Sequence, residues 1–324
     1  MKPSYHTFVL EAVLLLLCIV LSIVAPGFFT TENLLNVLRN ISMQGIIALG
    51  MTMVIIAGEI DLSVGSAVAF AGCWTAWLTG FFLAAPFGFP PAAAVGAAVL
   101  IAILTGLVPG AVAGLLRTRY GVPSFITTLA LLTGLSGAAE LLTNGFPLTP
   151  FPEWYGVFGG GHLLGIPVPA ILFIATFVIV LVLMEHTVFG RSVYAVGGNA
   201  EAARLSGIPV ARIKTGVLML TSGLAAVAGI LQSSEIMSGT ATTAKGWELD
   251  IIAAVIIGGT SLTGGEGKVR GTMVGIVFLG VIINGMTLLN VSEYWQHVVR
   301  GALILTAVLL NRMQAHNQGK GTHA

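Results

Sequence analysis

Charged side chains are scarce in this chain of 324 residues: 14 Lys or Arg and 13 Asp or Glu make up 8% of it. Soluble domains carry about 25%. Hydrophobic residues make up 56%, and the mean hydropathy is +0.97. The composition therefore excludes an ordinary soluble domain, and a net charge of +1 gives no support to a nucleic-acid partner.

Cysteine and clustered histidine are scarce as well. Cys18 and Cys73 both lie in apolar runs, so they do not form the framework of a disulfide-rich fold. The six histidines show neither a His-x-x-His nor a His-Glu-x-x-His spacing, so the sequence predicts no metal site. No nucleophile stands in a recognisable arrangement with a base, so we expect no catalytic residue and no enzymatic reaction.

Long apolar runs, separated by polar, proline or glycine breaks, occupy most of the chain. They predict ten membrane spans, at 8–25, 41–57, 62–80, 92–115, 122–142, 167–185, 213–234, 249–262, 271–289 and 295–311. Residues 30–40 are expected to form a separate short amphipathic helix that Thr31 caps. The fold class expected is an all-α, polytopic membrane protein with about ten transmembrane helices, in one domain over residues 1–324.

The basic residues give an independent test of this count, because short cytoplasmic loops are enriched in Lys and Arg. With the N-terminus inside, only Arg39 and Lys245 fall outside, and Arg300 falls within the last span. The remaining eleven fall inside: Lys2, Arg117, Arg119, Arg191, Arg204, Arg212, Lys214, Lys268, Arg270, Arg312 and Lys320. The asymmetry predicts cytoplasmic N- and C-termini, an inner loop over 187–214 and a long outer loop over 143–166.

The inner loop contains a short segment with the signals of a helix. Asn199 is a good N-cap, Glu201 lies in the first turn where the helix dipole favours an acid, and Gly207 can end the helix in the left-handed conformation. Its apolar face is expected to present Ala203 and Leu205. The spacing fits a rigid peg that enters a socket in another protein, and also an ordinary connector that lies on lipid headgroups.

Residues 58–66 (GEIDLSVGS) lie where the second span ends and the third begins. Asp61 is expected to cap the third span by accepting from the backbone N–H groups near Ser63 and Val64. Acids at a membrane boundary are costly to bury, so the alternative is a cytoplasmic gate that involves Glu59, Asp61 and Ser63, or a contact with a partner on the inner side.

A few polar residues lie inside the predicted spans. Gln232, Asn284 and Arg300 are candidates for lining a pathway. Arg300 would cost about 2.5–3.5 kcal/mol at a helix centre, so it is expected to face a pathway or to pair with an acid. No series of acids and histidines crosses the membrane, which argues against a proton-driven carrier.

Two glycine patterns have different meanings. Gly106, Gly110 and Gly114 repeat at GxxxG spacing and are expected to let helices pack closely. Residues 258–271 (GGTSLTGGEGKVRG) suggest a nucleotide-binding loop, but Leu262 stands where a Walker A glycine is required and Val269 replaces the magnesium-binding hydroxyl. The second pattern is therefore interpreted as an inner turn between two spans.

Four long segments, in order, resemble the ribose-type permease subunits of ATP-binding-cassette sugar importers. They are FFTTENLLNVLRNIS (28–42), ALGMTMVIIAGEIDLSVGS (48–66), YAVGGNAEAARLSGI (194–208) and ELDIIAAVIIGGTSLTGGEGKVRGT (248–272). The resemblance covers nearly the whole chain. It implies that residues 199–207 form the helix that couples the permease to its ATPase, with these residues in that role: Asn199, Glu201, Ala203, Arg204, Leu205 and Gly207.

The resemblance also implies the partners. They are a cytoplasmic ATP-binding subunit, a second permease copy that is identical or a paralogue, a sugar-binding protein on the outer side, and the lipid of a bacterial inner membrane. ATP is used by the partner subunit, and this chain binds no cofactor. The function implied is import of a monosaccharide such as ribose, xylose or galactose.

Two alternatives remain open at this point. One is an ion-coupled secondary carrier, for which VIIAGEIDLSVG and VIIGGTSLTGG hint at an internal repeat. The other is an importer of the same type for a nucleoside or another small polar solute. An intramembrane enzyme has no supporting constellation of residues.

Overall fold

The computed structural model describes residues 5–84 and 86–320, and Lys2, one of the basic residues expected inside, lies outside these residues. The described chain forms α1 (Tyr5–Val24), α2 (Thr31–Ile56), α3 (Val64–Leu83), α4 (Pro91–Gly106), α5 (Val108–Arg119), α6 (Ser124–Thr143), α7 (Val157–Gly160), β1 (His162–Leu163), β2 (Ile166–Pro167), α8 (Val168–His186), α9 (Val188–Gly198), α10 (Ala200–Leu205), α11 (Val210–Glu235), α12 (Trp247–Ile257), α13 (Val269–Leu288) and α14 (Glu293–Lys320). β1 and β2 pair as a small antiparallel hairpin.

Within the described residues, seven helical segments are long and apolar enough to cross a membrane. They are α2, α3, α4 together with α5, α6, α8, α11 and α13. The described chain is thus mostly helical with seven candidate membrane spans, as the predicted class requires, and the short β1–β2 hairpin is its departure from an all-α fold. The runs expected at 8–25, 249–262 and 295–311 coincide with α1, α12 and α14.

The stretch over 30–40 and the span over 41–57 form one continuous helix, α2. Thr30, one residue earlier than expected, caps this helix by accepting from the Asn33 N–H at 3.3 Å. The prediction of a separate amphipathic helix is wrong because no proline or glycine interrupts the chain at this point, and the helical hydrogen bonds continue once they have begun.

Small residues allow α5 to pack closely against α11, one of the two most buried long helices. Gly110 of α5 lies against the Leu218 carbonyl of α11, and Gly114 lies against Thr215. Gly106, at the end of α4, lies against Ala226. The close packing predicted from the GxxxG spacing is therefore confirmed.

The bundle has two distinct ends, and α8 runs from one end to the other. The end that carries β1 and β2 is called the hairpin end, and the end that carries α9, α10 and the first turn of α11 is called the α10 end. α2 and α11 run between these ends and are the most buried of the long helices, with 83% and 67% of an apolar 18-residue stretch of each inside the protein.

α3 begins well inside the bundle. Gly229 of α11 packs against Val68 and Ala71 of α3. On α11, Lys214 lies 15 residues before Gly229, which places it about 22 Å closer to the α10 end. On α3, the first residue Val64 lies four residues before Val68, which is about 6 Å closer to the same end. α3 therefore starts about 16 Å from the level of Lys214, or about half the thickness of a hydrocarbon core.

α12 begins at the same depth as α3. The Ala244 carbonyl and the Glu248 side chain lie against Gly65, in the first turn of α3. The preceding connection, 236–246, has no regular structure apart from one bridge between Gly239 and Leu148. Gly239 packs beside Ala76, further along α3, so the connection runs inward from the side of the hairpin end.

The span expected over 249–262 is thus only a short helix, α12, which begins at Trp247 and ends at Ile257, and the irregular connection 236–246 precedes it. α12 has 11 residues and is about 16 Å long, half of the about 30 Å that a full crossing requires. The apolar periodicity of the sequence predicted the helix. The sequence did not indicate that the polar residues of the connection 236–246 also lie inside the bundle.

Candidate functional site

The helix predicted within the 187–214 loop is present as α10. Asn199 Oδ1 accepts a hydrogen bond from the Ala202 N–H at 2.9 Å, as an N-cap residue does. At the other end Gly207 has φ +83°, and the Ile208 N–H donates to the Ala203 carbonyl at 3.0 Å. This left-handed turn satisfies a carbonyl that the helix would otherwise leave free.

One side of α10 packs on the protein and the other side is exposed. Ala203 is 5% exposed and belongs to the main hydrophobic core, whereas Leu205 is 75% exposed. The expectation that both residues share one apolar face is wrong, because residues two positions apart lie about 160° apart around a helix axis. Ala203 anchors α10, and Leu205 projects away from the bundle.

Beside Leu205, the exposed face of α10 carries one ion pair. Arg204 Nε donates to Glu201 Oε2 at 3.0 Å, and both side chains are exposed. The hydrogen bond from Arg204 holds the pKa of the Glu201 carboxyl below its ordinary value. Such a surface pair adds little to stability, but it gives this face a fixed pattern of charge around one apolar side chain.

Three backbone segments meet next to α10 with no side chain between them. Gly197 lies against the Ile56 carbonyl, and Gly265 lies against Gly198. The Gly265 N–H donates to the same Ile56 carbonyl at 2.8 Å. A Cβ atom at Gly197 would overlap backbone atoms, so these positions require glycine. The ends of α2 and α9 and the glycine-rich loop between α12 and α13 are therefore in direct contact.

Glu59, in the connection between α2 and α3, is a buried acid with two basic partners. It accepts from Arg117 Nε at 2.8 Å and from Lys214 Nζ. Burial by itself raises the pKa of the Glu59 carboxyl, but hydrogen bonds from Lys214, Ser124 and Arg117 outweigh burial, and the net pKa lies below its ordinary value. Glu59 thereby links the end of α5 to the second turn of α11.

Side chains from α6 satisfy the backbone of this same connection. The Ile60 N–H donates to Ser124 Oγ at 3.2 Å, and the Leu62 N–H donates to Thr128 Oγ1 at 3.1 Å. A buried segment without helical or strand hydrogen bonds needs such partners. The connection therefore keeps a fixed, extended course into the bundle.

Asp61 does not cap α3. The N-cap position is Ser63, whose side chain makes no capping bond. Asp61 Oδ1 instead accepts from the Ser63 N–H at 2.8 Å and from Ser63 Oγ at 2.6 Å, before the helix begins. The predicted hydrogen bond from the Ser63 N–H is therefore present, but Asp61 is not the N-cap residue, because α3 begins at Val64 and its N-cap position lies two residues beyond Asp61.

Two of the three pathway candidates bind other amide or acid side chains. Gln232 Nε2 donates to Glu235 Oε2 at 3.2 Å, at the end of α11. Asn284 of α13 and Asn33 of α2 exchange two hydrogen bonds, at 2.8 and 3.0 Å. The Asn284 pair joins two helices, as polar side chains commonly do inside membranes.

Arg300 was predicted either to face a pathway or to pair with an acid, and it pairs with an acid. Its Nη1 donates to Asp250 Oδ2 at 2.9 Å, which joins α14 to α12. Sequence reasoning did not identify Asp250 as the partner, although the WELD sequence places two acids at the start of an otherwise apolar run.

The sequence also gave no indication that Arg117 and Lys214 converge on Glu59. Both were assigned to the inner side by charge asymmetry alone. Their positions, one near the end of a span and one near the start of another, were the available signal, because long basic side chains there can reach an acid at the same membrane boundary.

Seven helical segments that are long and apolar enough to cross a membrane place the described part of this chain in the class of polytopic membrane proteins. The chain belongs to the family described as the permease component of branched-chain amino acid transport systems, whose family model matches residues 33–308. The expectation of a multi-pass inner-membrane protein is confirmed.

Curated relatives match over nearly the full chain. The ribose import permease protein of Bacillus subtilis is 43% identical, over 93% of this chain and 91% of its own. The ribose import permease protein of Escherichia coli is 42% identical, over 92% and 91%. The L-arabinose transport system permease protein of Escherichia coli is 38% identical, over 95% and 90%. No solved structure matches the chain. The resemblance to ribose-type permeases is thus confirmed.

Proposed function

We propose that this chain is the membrane subunit of an ATP-driven importer and that it passes a monosaccharide into the cell. The chain does no covalent chemistry, and ATP is hydrolysed on a separate cytoplasmic subunit. Support comes from its similarity to ribose and L-arabinose permeases over more than nine-tenths of its length.

The observation that carries the proposal is the exposed face of α10. Ala203 holds the helix on the bundle, Asn199 fixes its start, and Leu205 projects with 75% of its surface exposed. A rigid helix with one apolar side chain outward suits a socket on another protein, because insertion buries Leu205 without ordering a flexible loop. An ATP-binding subunit is the partner this surface would engage.

The packing around α10 suggests how movement of the ATPase reaches the membrane. α10 is followed by α11, whose Lys214 binds Glu59 at the start of the connection to α3. α10 also follows α9, whose end touches α2 and the glycine-rich loop by backbone contacts. A displacement of α10 would therefore act on α2, α3, α11 and α13 together and re-orient the passage between the two permease copies.

The proposed topology has ten spans, with both termini and the α10 end in the cytoplasm. In this arrangement α12 and the irregular connection before it make one crossing together, and α1 and α14 are the first and last spans. The basic residues near the α10 end, such as Arg117, Arg191 and Lys214, agree with the enrichment of Lys and Arg in inner loops.

The hairpin end then faces outward, where a sugar-binding protein would deliver its ligand. This end presents an exposed hairpin whose His162 Nε2 lies 3.3 Å from Arg39 Nη2. A second permease copy, identical or a paralogue, would complete the central passage, as the resemblance implies.

Transport assays with named solutes test the proposal. The chain would be reconstituted in liposomes with its ATPase and binding protein, and ATP-dependent uptake of D-ribose, L-arabinose, uridine and L-leucine would be measured. We expect uptake of a pentose that requires ATP. Uptake driven by an ion gradient without ATP would establish the carrier alternative, and ATP-dependent uptake of uridine or leucine alone would establish the same machine with a different solute.

A further inference from the structure

The connection 236–246 is the part of the bundle least compatible with lipid. Gly239 lies beside Ala76 of α3, and Ala244 lies at Gly65, about 16 Å deeper along the same helix. The connection therefore passes through the half of the bundle nearer the hairpin end without forming a helix. Irregular backbone at such a depth occurs only where protein buries it or where it lines a water-filled space.

Protein does not bury this connection completely. Thr242 and Lys245 are exposed, and Thr240 and Thr243 are half-buried. A lysine and hydroxyl groups facing hydrocarbon would be costly, so their exposed side is expected to face water or polar protein and not lipid. Met237 and Ala244 have φ of +53° and +60°, a strained conformation for residues other than glycine, and such strain gathers at functional sites.

Two helices begin at the inner end of this connection. The Glu248 side chain, in the first turn of α12, lies over the first turn of α3, because Gly65 has no side chain there. Many secondary transporters build their solute sites from interrupted helices whose ends meet near the middle of the membrane. Nearby, Arg300 binds Asp250 through Nη1, while its buried Nε has no hydrogen-bond partner in the part of the chain that the structure describes.

We propose that the connection 236–246 and the start of α12 line the passage of the sugar, with these side chains as its hydrogen-bonding groups: Thr240, Thr242, Thr243, Lys245 and Glu248. The proposal rests on the proposed function and assigns a site to it. Threonine hydroxyls donate and accept, an ammonium donates and a carboxylate accepts, which together match the mixed donors and acceptors of sugar hydroxyls. These groups follow one another along the connection and do not surround one point. They therefore suit a solute that moves past them more than one that is held in place.

The first experiment tests whether water reaches the connection. Thr242→Cys would be made in the full chain with Cys18 and Cys73 replaced by alanine, assembled with its ATPase in nanodiscs, and treated with a charged methanethiosulfonate reagent. The matched control is Ile179→Cys, in the middle of α8 and 65% exposed. We expect Thr242→Cys to react at least about tenfold faster, because the reactive thiolate forms only where water is present, and 100 mM D-ribose to slow that reaction. Equal rates would overturn the proposal.

The second experiment tests whether the hydroxyls act on the solute. The double variant Thr242→Val/Thr243→Val keeps the side-chain shape, and Thr176→Val in α8 is its control. With saturating ribose-loaded binding protein, the double variant should import ribose roughly tenfold more slowly, as expected for two lost hydrogen bonds of ordinary strength. The binding-protein concentration at half-maximal uptake should stay within about twofold of that of the unmodified complex.

The outcomes separate this inference from the proposed function. If the unmodified complex imports none of the tested solutes, the proposed function fails, whatever the labelling result. If it imports ribose but the double variant matches Thr176→Val, the inference is overturned. If the double variant only raises the half-maximal concentration of binding protein, the connection is a docking surface, which also overturns it.

Discussion

Leu205 is the most informative single side chain at the α10 end, because it is large, apolar and projects from a short, capped helix. Leu205→Asp should abolish ATP-dependent uptake and release the ATPase from the membrane, since an unpaired charge buried in a contact costs several kcal/mol. Co-purification of the ATPase and uptake in vesicles provide the measurements. Leu205→Met, which conserves volume and character, is the matched control and should retain both activities.

The same geometry decides where a crosslinking probe belongs. A cysteine at Ala203 would sit in the core, so the position to use is Leu205. If Leu205→Asp inserted normally and left both ATPase association and transport unchanged, α10 would be a connector on the membrane surface and the coupling hypothesis would fail.

Glu59 should contribute to stability through its two basic partners. Glu59→Gln removes the charge but keeps the shape, and we expect a loss of about 3 kcal/mol, at the low end for a broken buried pair because Arg117 still reaches water. Thermal unfolding in detergent would measure it. Glu185→Gln, which removes the acid of the exposed pair with Arg270, is the control and should cost less than about 1 kcal/mol.

The pKa of Glu59 gives this contribution a defined pH dependence. Because the folded-state pKa is lowered, the contribution is fully present above the ordinary value of 4.5 and is lost as the pH falls through the folded pKa. The difference in melting temperature between the unmodified protein and Glu59→Gln should therefore be constant above pH 5 and shrink below pH 4.5. A difference that grew on acidification would contradict this account of the Glu59 pairs.

The helix α10 as a unit depends on its cap. Asn199→Ala removes the hydrogen bond to the Ala202 N–H and should cost about 1 kcal/mol of local helix stability. We expect weaker coupling, seen as more ATP hydrolysed per sugar imported, with the ATPase still bound. Asn199→Asp can make the same cap and should couple normally; if it behaved like alanine, the cap would not be the cause.

Helix α10 was predictable from sequence because its signals are local. A cap, a first-turn acid and a terminal glycine all lie within nine residues, and each acts on its immediate neighbours. Its orientation was not predictable, because which side packs on the bundle depends on α9 and α11. The start of α3 and the shortness of α12 were missed for the same reason: depth in the bundle is set by packing partners far away in the sequence.

The partners of Glu59 show most clearly what could not be predicted from the sequence. Arg117 and Lys214 lie 58 and 155 residues away in the chain, and charge asymmetry placed each of them on a side of the membrane without bringing them together. For Arg300, the need for a partner could be predicted, since an unpaired charge inside a span is costly. The requirement could be stated from sequence, but Asp250 could not be chosen.

Accessibility of single cysteines tests the orientation of the whole chain. A cysteine at Leu164, in the turn of the hairpin and 95% exposed, should react with an impermeant maleimide on intact spheroplasts. A cysteine at the exposed Ser206 should react only after the membrane is opened. Tyr155, in the same outer loop, is fully buried and is a poor site for a probe. If both cysteines reacted on intact cells, the ten-span arrangement would be excluded.

The pairing of Asp250 with Arg300 also has a consequence for how the protein is made. The ribosome delivers Asp250 to the membrane before α14, so the carboxylate has no Arg300 partner until 50 further residues have been made. A nascent chain that stops after Val291 should therefore be recognised as defective and degraded quickly, because proteases remove incompletely packed chains. Asp250→Asn should lengthen the lifetime of that truncated chain in a pulse-chase experiment. In that case the pairing of Asp250 with α14 would protect the new chain from degradation. An unchanged lifetime of the truncated Asp250→Asn chain would show that the unpaired carboxylate is not what marks the chain for degradation.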